Sequence, residues 1–352
     1  MKHPFLILIY CLIALVSCQE TNYSILKTSL KDIPNNHRSV ELFPITEIYN
    51  PSDIYSIGDY IVVVNNNKKC NILYLYNRER MSFSRAFGLY GRAGNEYLFI
   101  DRSPKPNNDS TLFLYTDYIN CSEFRINRDT IKEINKYRIT NDISNNVIIL
   151  NDSLVFNRTL QADHAFSIYN YRLRENQVSF GDFPDCPIKP KTDADRDNVC
   201  ASSSVYNSDQ RLLVTFYESL PLIRIFDMNA YKCLQEVELI DVHKQISSLD
   251  EYYDDKNVIY FSRPIATRDR IYVSLIDNQA DLVPEQTSLL AMDWSGNITD
   301  KTGTAFFSLC TGEAFNDIAV FDLIRGVFPH ISGRINSRFT ANIIYCQPGI
   351  IC

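Results

Sequence analysis

An all-β fold of the propeller type is what the sequence predicts, and three observations carry that prediction. Short runs alternate apolar with polar residues, are rich in β-branched and aromatic side chains, and are separated by Asn, Asp, Gly, Ser and Pro. These runs come in pairs that recur at intervals of roughly 40 to 60 residues, the repeat length of a four-stranded propeller blade. Helical periodicity is rare, and aromatic residues make up 12% of the chain. A sandwich or barrel would not readily fill this length with such regular recurrence.

The beginning of the chain has the features of an export signal. A short positive head precedes an apolar run that is too short to span a bilayer comfortably. The run ends on Leu15, Val16, Ser17 and Cys18. These four residues resemble the lipobox of bacterial lipoproteins, in which the cysteine is lipidated after cleavage. The resemblance implies a signal peptide over residues 1–17, lipidation of Cys18 and a polar tether over residues 18–38. A cleaved signal with an incidental cysteine is the alternative.

Five paired runs predict the hairpins of successive blades within a single domain over residues 39–352. The pairs are Tyr60–Val64 with Ile72–Tyr76, Thr111–Thr116 with Ser122–Ile126, Ser153–Asn157 with Phe166–Leu173, Arg211–Tyr217 with Leu222–Met228, and Arg270–Ile276 with Ser288–Trp294. Propellers close by pairing strands from both chain ends, so Val40–Ile48 is predicted to join the last blade beside Phe315–Leu323 and Phe339–Tyr345. A short helix is predicted within Ile240–Tyr252.

A glycine-rich segment after the first hairpin carries a family resemblance. Its sequence is Phe87-Gly88-Leu89-Tyr90-Gly91-Arg92-Ala93-Gly94-Asn95-Glu96-Tyr97. With the lipobox and the order of strands, it resembles the six-bladed, TolB-like β-propeller lipoproteins of Gram-negative bacteria, but departs from them where Gly-Pro is expected. The resemblance implies six blades, with seven as the alternative. Gly88, Gly91 and Gly94 would permit a tight crossing between blades, inside which Glu96 would accept backbone hydrogen bonds.

Two acidic segments are candidates for a ligand site. Asp193, Asp195 and Asp197 alternate as at the start of a calcium-binding loop, but the glycine and distal glutamate of an EF-hand are missing. A solvated loop is therefore favoured, with calcium as the alternative and no other cofactor expected. The second segment, Asp250 to Asp255, combines carboxylates with tyrosines, as carbohydrate or cation sites do. An acidic surface turn is favoured there.

Eight cysteines lie beyond the lipobox. An even number in an exported chain permits disulfides, and the candidate bridges are Cys186 with Cys200 and Cys346 with Cys352. Three others lie in alternating apolar segments, where a free cysteine behaves as a small buried hydrophobe: Cys70, Cys121 and Cys233. No Cys-x-x-Cys spacing occurs, so the usual signatures of structural zinc and of a redox dithiol are missing.

Charge and motifs exclude several classes of function. A formal net charge of −7 without a basic run argues against a nucleic-acid partner. Neither a spaced histidine pair nor a Gly-x-Ser-x-Gly elbow occurs, which argues against a zinc protease and an α/β-hydrolase. Two classes remain. One is a lipid-anchored module that binds a ligand, such as a carbohydrate, or an envelope protein; the other is an envelope hydrolase or lyase with its site in the central channel.

Binding is favoured over catalysis, and the sequence assigns no catalytic residues. By resemblance to bacterial lipoproteins, Gln19 in place of aspartate after the cysteine favours the outer membrane. The periplasmic face and the outer surface of that membrane remain alternatives. The chain is expected to be a monomer.

Overall fold

Antiparallel sheets of four strands make up the fold, as the alternating sequence pattern predicts. The computed structural model describes residues 23–35, 41–45, 48, 51–94, 96–105, 110–127, 130–140, 146–160, 162–280, 287–304, 307–310, 318–322 and 341–346. The lipobox residues Leu15 to Ser17, the predicted lipidation site Cys18 and the terminal Cys352 lie outside these ranges.

Two strands precede the first blade, β1 (Ser24–Ser29) and β2 (Glu41–Ile45). The first blade contains β3 (Pro51–Ile57), β4 (Tyr60–Asn65), β5 (Leu73–Asn77) and β6 (Ser82–Phe87), and a small pair, β7 (Leu89–Tyr90) and β8 (Glu96–Tyr97), follows it. The second blade contains β9 (Ile100–Asp101), β10 (Thr111–Thr116), β11 (Asn120–Asn127) and β12 (Thr130–Arg138). The third contains β13 (Ile148–Ile149), β14 (Leu154–Arg158), β15 (Phe166–Asn170) and β16 (Glu175–Phe180).

A helix, α1 (Asp193–Val199), leads to the fourth blade, which contains β17 (Ser202–Asn207), β18 (Leu212–Tyr217), β19 (Leu222–Asp227) and β20 (Lys232–Ile240). A second helix, α2 (Leu249–Tyr253), leads to the fifth, which contains β21 (Val258–Ala266), β22 (Ile271–Gln279), β23 (Thr287–Met292) and β24 (Ile298–Thr304). The described residues thus form five blades whose second and third strands match the five predicted hairpins. Among them, no helix is long and apolar enough to cross a bilayer.

One more sheet combines strands from distant parts of the chain. It contains β25 (Phe307–Cys310), β26 (Ile318–Asp322) and β27 (Ala341–Cys346), and β2 pairs with the outer side of β27. Its first strand, β25, contacts β21 of the fifth blade and β3 of the first. This sheet therefore lies between the fifth and first blades.

The hydrophobic core is divided into layers between neighbouring blades. Residues of the first and second blades, such as Leu75 and Phe124, share one cluster, and Val214 and Val273 belong to another between the fourth and fifth. Because a blade is apolar on both faces, each sheet is buried on both sides. This explains the continuous apolar runs of the second strands, such as Ile61 to Val64.

The segment predicted to be a tether contains ordered structure of the domain. β1 pairs in parallel with β20, from Ser24 opposite Gln235 to Ser29 opposite Ile240. Leu30 and Ile33 are buried in the core between the fourth and fifth blades. Beyond them, Asn35 forms a parallel bridge with Lys301 of β24. The prediction of a tether over residues 18–38 is therefore wrong for residues 24–35, because this segment pairs with the outer strands of two blades and buries Leu30 and Ile33.

Two long connections cover one face of the propeller. They span residues 181–201 and 241–257, contain α1 and α2, and are called the cap here. Their apolar side chains, including Ile188, Val199 and Leu249, form one buried cluster. The helix predicted within Ile240–Tyr252 is confirmed only at its end, since α2 begins at Leu249.

Candidate functional site

A cavity of about 540 Å³ lies where the second, third and fourth blades meet. It is lined by Lys105, Glu123, Asn135, Tyr137, Ile148, Ile149, Leu150, Asn151, Asp152, Tyr171, Arg172, Tyr206 and Ser208. The volume falls within the usual range of small-molecule sites. The turns at Asn151, Arg172 and Ser208 join first to second or third to fourth strands, so they lie at one face of the propeller. The cap connections leave from the opposite face.

One wall of this pocket is formed by the two outer strands of the second blade. Cys121 of β11 lies opposite Tyr137 of β12, and Glu123 lies opposite Asn135, so all four side chains face the third blade. Cys121 is fully buried in this wall, and Tyr137 lines the pocket.

A lysine and a glutamate form a partly exposed ion pair on the same wall. Lys105 Nζ lies 3.6 Å from Glu123 Oε1 and 3.8 Å from the centre of the Phe113 ring. Contact with the ring holds the ammonium group by a cation–π interaction. The pair gives the pocket one donor group and one acceptor group with no net charge.

Two tight turns of the third blade form the facing wall. Tyr171 donates its backbone N–H to the Ser153 carbonyl at 2.9 Å, and Arg172 Nε donates to the Asp152 carbonyl at 2.6 Å. The Asn170 side chain accepts the N–H groups of Arg172 and Leu173. These bonds hold the two turns together. The Tyr171 ring lies 6.1 Å from the Tyr137 ring, so the walls meet through aromatic side chains.

The hydroxyl and thiol groups of the pocket keep their protons near neutral pH. Burial raises the pKa of the Cys121 thiol to about 11 and raises the pKa of Tyr137 well above its usual range. Burial also raises the pKa values of Tyr171 and Tyr206. The pocket therefore presents neutral tyrosine hydroxyls beside the Lys105–Glu123 ion pair, which suits ligand binding.

The glycine-rich segment forms a turn beside the first blade. Glu96 Oε2 accepts the N–H of Ala93 at 2.8 Å. A Cβ at position 91 would lie 1.9 Å from that same oxygen, and Gly88 has a φ of +74°. Position 94 has open space around it. The described contacts of Gly91 and Glu96 lie inside the turn, at a distance from the pocket lining.

The two acidic segments come together in the cap. Tyr253 donates its hydroxyl to Asp195 Oδ1 at 2.5 Å, and Tyr252 donates to the Asn198 carbonyl at 3.0 Å. On the surface, Lys191 Nζ lies 3.7 Å from Asp250. The first segment was predicted to be a loop and the second a turn. Both predictions are wrong in part, because the carboxylates lie in the first turns of α1 and α2.

The three aspartates of the first acidic segment do not converge on one point. In an α-helix, residues two apart point to opposite sides, so Asp195 points away from Asp193 and Asp197. Asp195 forms a capping box with Thr192, Asp193 pairs with Arg196 at 3.1 Å, and Asp197 is buried. Within the described part of the chain, no three His, Cys, Asp or Glu side chains are grouped as a metal site.

Cys186 and Cys200 are buried together in the cap cluster as free thiols. The predicted bridge between them is therefore wrong, because both side chains pack as small apolar groups beside Ile188 and Val199. Cys70, Cys121 and Cys233 are also free, and Cys121 is fully buried. Cys346 belongs to β27, while its predicted partner Cys352 lies outside the described residues.

The pocket residues come from separate blades, and the sequence pattern did not identify them. Lys105, Tyr137 and Tyr171 are distant in sequence and carry no shared motif. The sequence signal that could have found the site is the turn that recurs after each third strand. In the third blade this turn follows Asn170 and contains Tyr171 and Arg172.

Comparison with known proteins supports the fold. No protein-family model and no curated protein matches the sequence. A member of the DUF4221 family from Bacteroides vulgatus has a TM-score of 0.56 at 12% identity, covering 88% of this chain and 98% of that one. A Bacteroides fragilis protein described as exported has a TM-score of 0.54 at 10% identity, with 92% and 99% covered. At these identities the likeness establishes a shared fold alone, and the chain is an all-β propeller.

Proposed function

We propose that this protein is an envelope-anchored binding module that holds a carbohydrate in the pocket between its second and third blades. The observation that carries the proposal is the combination, in one cavity, of tyrosine rings with an ion pair and equal numbers of basic and acidic side chains. Tyrosine offers an apolar face together with a polar tip, which matches the alternating apolar and hydroxyl surfaces of a sugar ring.

The charge balance favours a neutral ligand over an anionic one. Lys105 lies beside Glu123, and Arg172 lies beside the turn that carries Asp152. A site for phosphate or carboxylate would need an excess of cationic donors, preferably an arginine fork directed at the ligand. Paired charges and the amides of Asn135 and Asn151 instead supply both donors and acceptors, as sugar hydroxyls require.

Binding measurements against a panel of neutral and acidic oligosaccharides test this function. We expect neutral members to bind, with Tyr171→Ala weakening affinity about fivefold through the loss of an aromatic contact of about 1 kcal/mol. Tyr118→Ala is the matched control, because Tyr118 is exposed and stacks on Phe99 away from the pocket lining. The proposal fails if no oligosaccharide binds, or if both variants bind as the unchanged protein does.

Anchoring through Cys18 completes this proposal. Its supports are the lipobox resemblance and the fold shared with a Bacteroides protein described as exported. Gln19 supports attachment to the outer membrane. We expect Cys18→Ala to move the protein from the membrane fraction to the soluble fraction. Continued association that only detergent releases would overturn the anchor.

A six-bladed ring closed by β2 is part of the same proposal. Its support is the sheet of β2, β25, β26 and β27, which combines both ends of the chain and touches blades on each side. Closing the ring gives the last sheet a packed neighbour on each side, so it suits a rigid platform for a binding site.

A further inference from the structure

We infer that the pocket-bearing face of the propeller, on the side of the outer edge of the fourth blade, is turned toward a lipid bilayer. The opposite face, which carries the cap, then points away from the membrane. This inference rests on the Cys18 anchor of the proposed function. It goes beyond that function because it fixes which surface meets the lipid.

The first argument is the short distance between the anchor and the domain. Ser24 begins β1 six residues after Cys18, and an extended chain of that length spans about 20 Å at most. From Ser24 onward the chain is held along β20, and Leu30 is buried. Little slack therefore separates the lipidated cysteine from the outer edge of the fourth blade.

The second argument is the direction of β1. The strand β20 begins after the turn at residues 228–231, which lies on the same face as the pocket turns, and ends where the cap connection starts. Because β1 runs parallel to β20, its first residue also lies toward the pocket-bearing face. The chain from Cys18 thus enters the domain from that side.

The third argument is the character of the two faces. Leu173, in a turn of the pocket-bearing face, is 67% exposed, and Ile25 and Leu234, at the adjoining edge, are 60% and 47% exposed. Exposed basic residues accompany them, Arg172, Arg174 and Lys232, together with the exposed acidic residues Asp152 and Glu175. On the cap, the Asp250 and Asp254 side chains are 90% and 69% exposed. Apolar and basic groups favour a bilayer surface, whereas carboxylates are repelled by anionic lipids.

A cysteine-accessibility experiment on the lipidated protein tests this orientation. Leu173→Cys and Asp254→Cys place a thiol on the pocket-bearing face and on the cap, both in exposed positions. Each protein is treated with a maleimide carrying a polyethylene glycol chain, once in detergent and once in vesicles containing anionic phospholipid. The protein without an added cysteine measures the background from native thiols, such as the half-buried Cys70 and Cys233.

We expect vesicles to slow labelling at position 173 several-fold relative to detergent and to leave labelling at position 254 unchanged. Equal labelling of both positions in vesicles, or protection of position 254, would overturn the orientation. Mass measurement of the Cys18 peptide separates the two proposals. A peptide without acyl chains overturns the anchor and this inference with it, whereas oligosaccharide binding in detergent still tests the pocket.

Discussion

Gly91 leaves room for the Glu96 carboxylate to approach its backbone closely. An added Cβ would meet Oε2 at 1.9 Å, and this oxygen holds the Ala93 N–H. We expect Gly91→Ala to displace Glu96 and to lower the free energy of unfolding by about 1–3 kcal/mol, measured by urea denaturation. Gly94→Ala is the control. It meets no atom within 4 Å and should change stability by less than about 1 kcal/mol. Equal losses in both variants would contradict this explanation.

A buried ion pair links the fourth blade to the cap. Arg224 Nε donates to Glu236 Oε1 at 2.6 Å, the two side chains being 8% and 11% exposed. Arg224 also donates to the Asp182 carbonyl at 2.5 Å. We expect Glu236→Ala to lower the free energy of unfolding by about 3–5 kcal/mol, because it leaves a buried charge uncompensated.

The control for this pair removes both charges. Arg224→Met combined with Glu236→Leu replaces the ion pair by apolar side chains, and we expect it to cost less than Glu236→Ala alone. Urea denaturation of both proteins measures the difference. A double variant less stable than the single variant would show that packing, rather than the uncompensated charge, sets the cost.

At the scale of residues, alternation in the sequence predicted which side chains lie in strands but not which ones meet. Periodicity is a local property, so it identified Ile72–Tyr76 and Leu222–Met228 as strand segments. Tyr137 and Tyr171 meet only because two blades pack face to face. Their contact depends on the tilt between sheets, which no short stretch of sequence encodes.

At the scale of elements, α1 is held by a carboxylate that both caps the helix and joins it to α2. The Tyr253 hydroxyl, followed by Thr192, holds the pKa of Asp195 below its usual range. A lowered folded-state pKa contributes stability above the unfolded value of about 3.9, and this stability is lost as pH falls through the folded value. The cap is therefore expected to loosen in acid.

Thermal unfolding as a function of pH measures this contribution. We expect Asp195→Asn to lower Tm at pH 7, and the difference from the unchanged protein to shrink as pH falls from about 4 toward the lowered folded-state pKa, at which the native carboxylate becomes neutral. Asp255→Asn, which changes a neighbouring exposed carboxylate, is the control. A difference that stays constant across the pH range would exclude a role for ionised Asp195.

The helix α1 also explains an incorrect prediction. Thr192 followed by Asp195 forms a capping box, a signal for the start of a helix that is present in the sequence. The alternating carboxylates favoured a loop because their spacing matches a calcium-binding pattern. The capping signal was the stronger one, since it satisfies backbone N–H groups at the first turn.

At the scale of the whole molecule, residues 24–35 pair with the outer strands of the fourth and fifth blades and so brace the two blades. Leu30 is buried between the fourth and fifth blades, and its carbonyl accepts a hydrogen bond from Lys301 Nζ at 3.0 Å. We expect Leu30→Ala to lower the free energy of unfolding by about 2–5 kcal/mol, measured by urea denaturation. Ile25→Ala, an exposed change on the same segment, should stay within about 0.5 kcal/mol. Similar losses would mean that the segment does not brace the core.

The contacts of residues 24–35 with the fourth and fifth blades also restrict the order in which the domain can fold. Ser29 bonds to Asp241, 212 positions later in the chain, and Leu30 bonds to Lys301, 271 positions later. Contacts of such separation form slowly, because long loops must close first. The earliest described residues to be synthesised are thus among the last to find their partners. The edge of β20 stays open to aggregation until the fourth blade has been made, and the contacts with Lys301 wait for the fifth, so folding depends on the nearly complete chain.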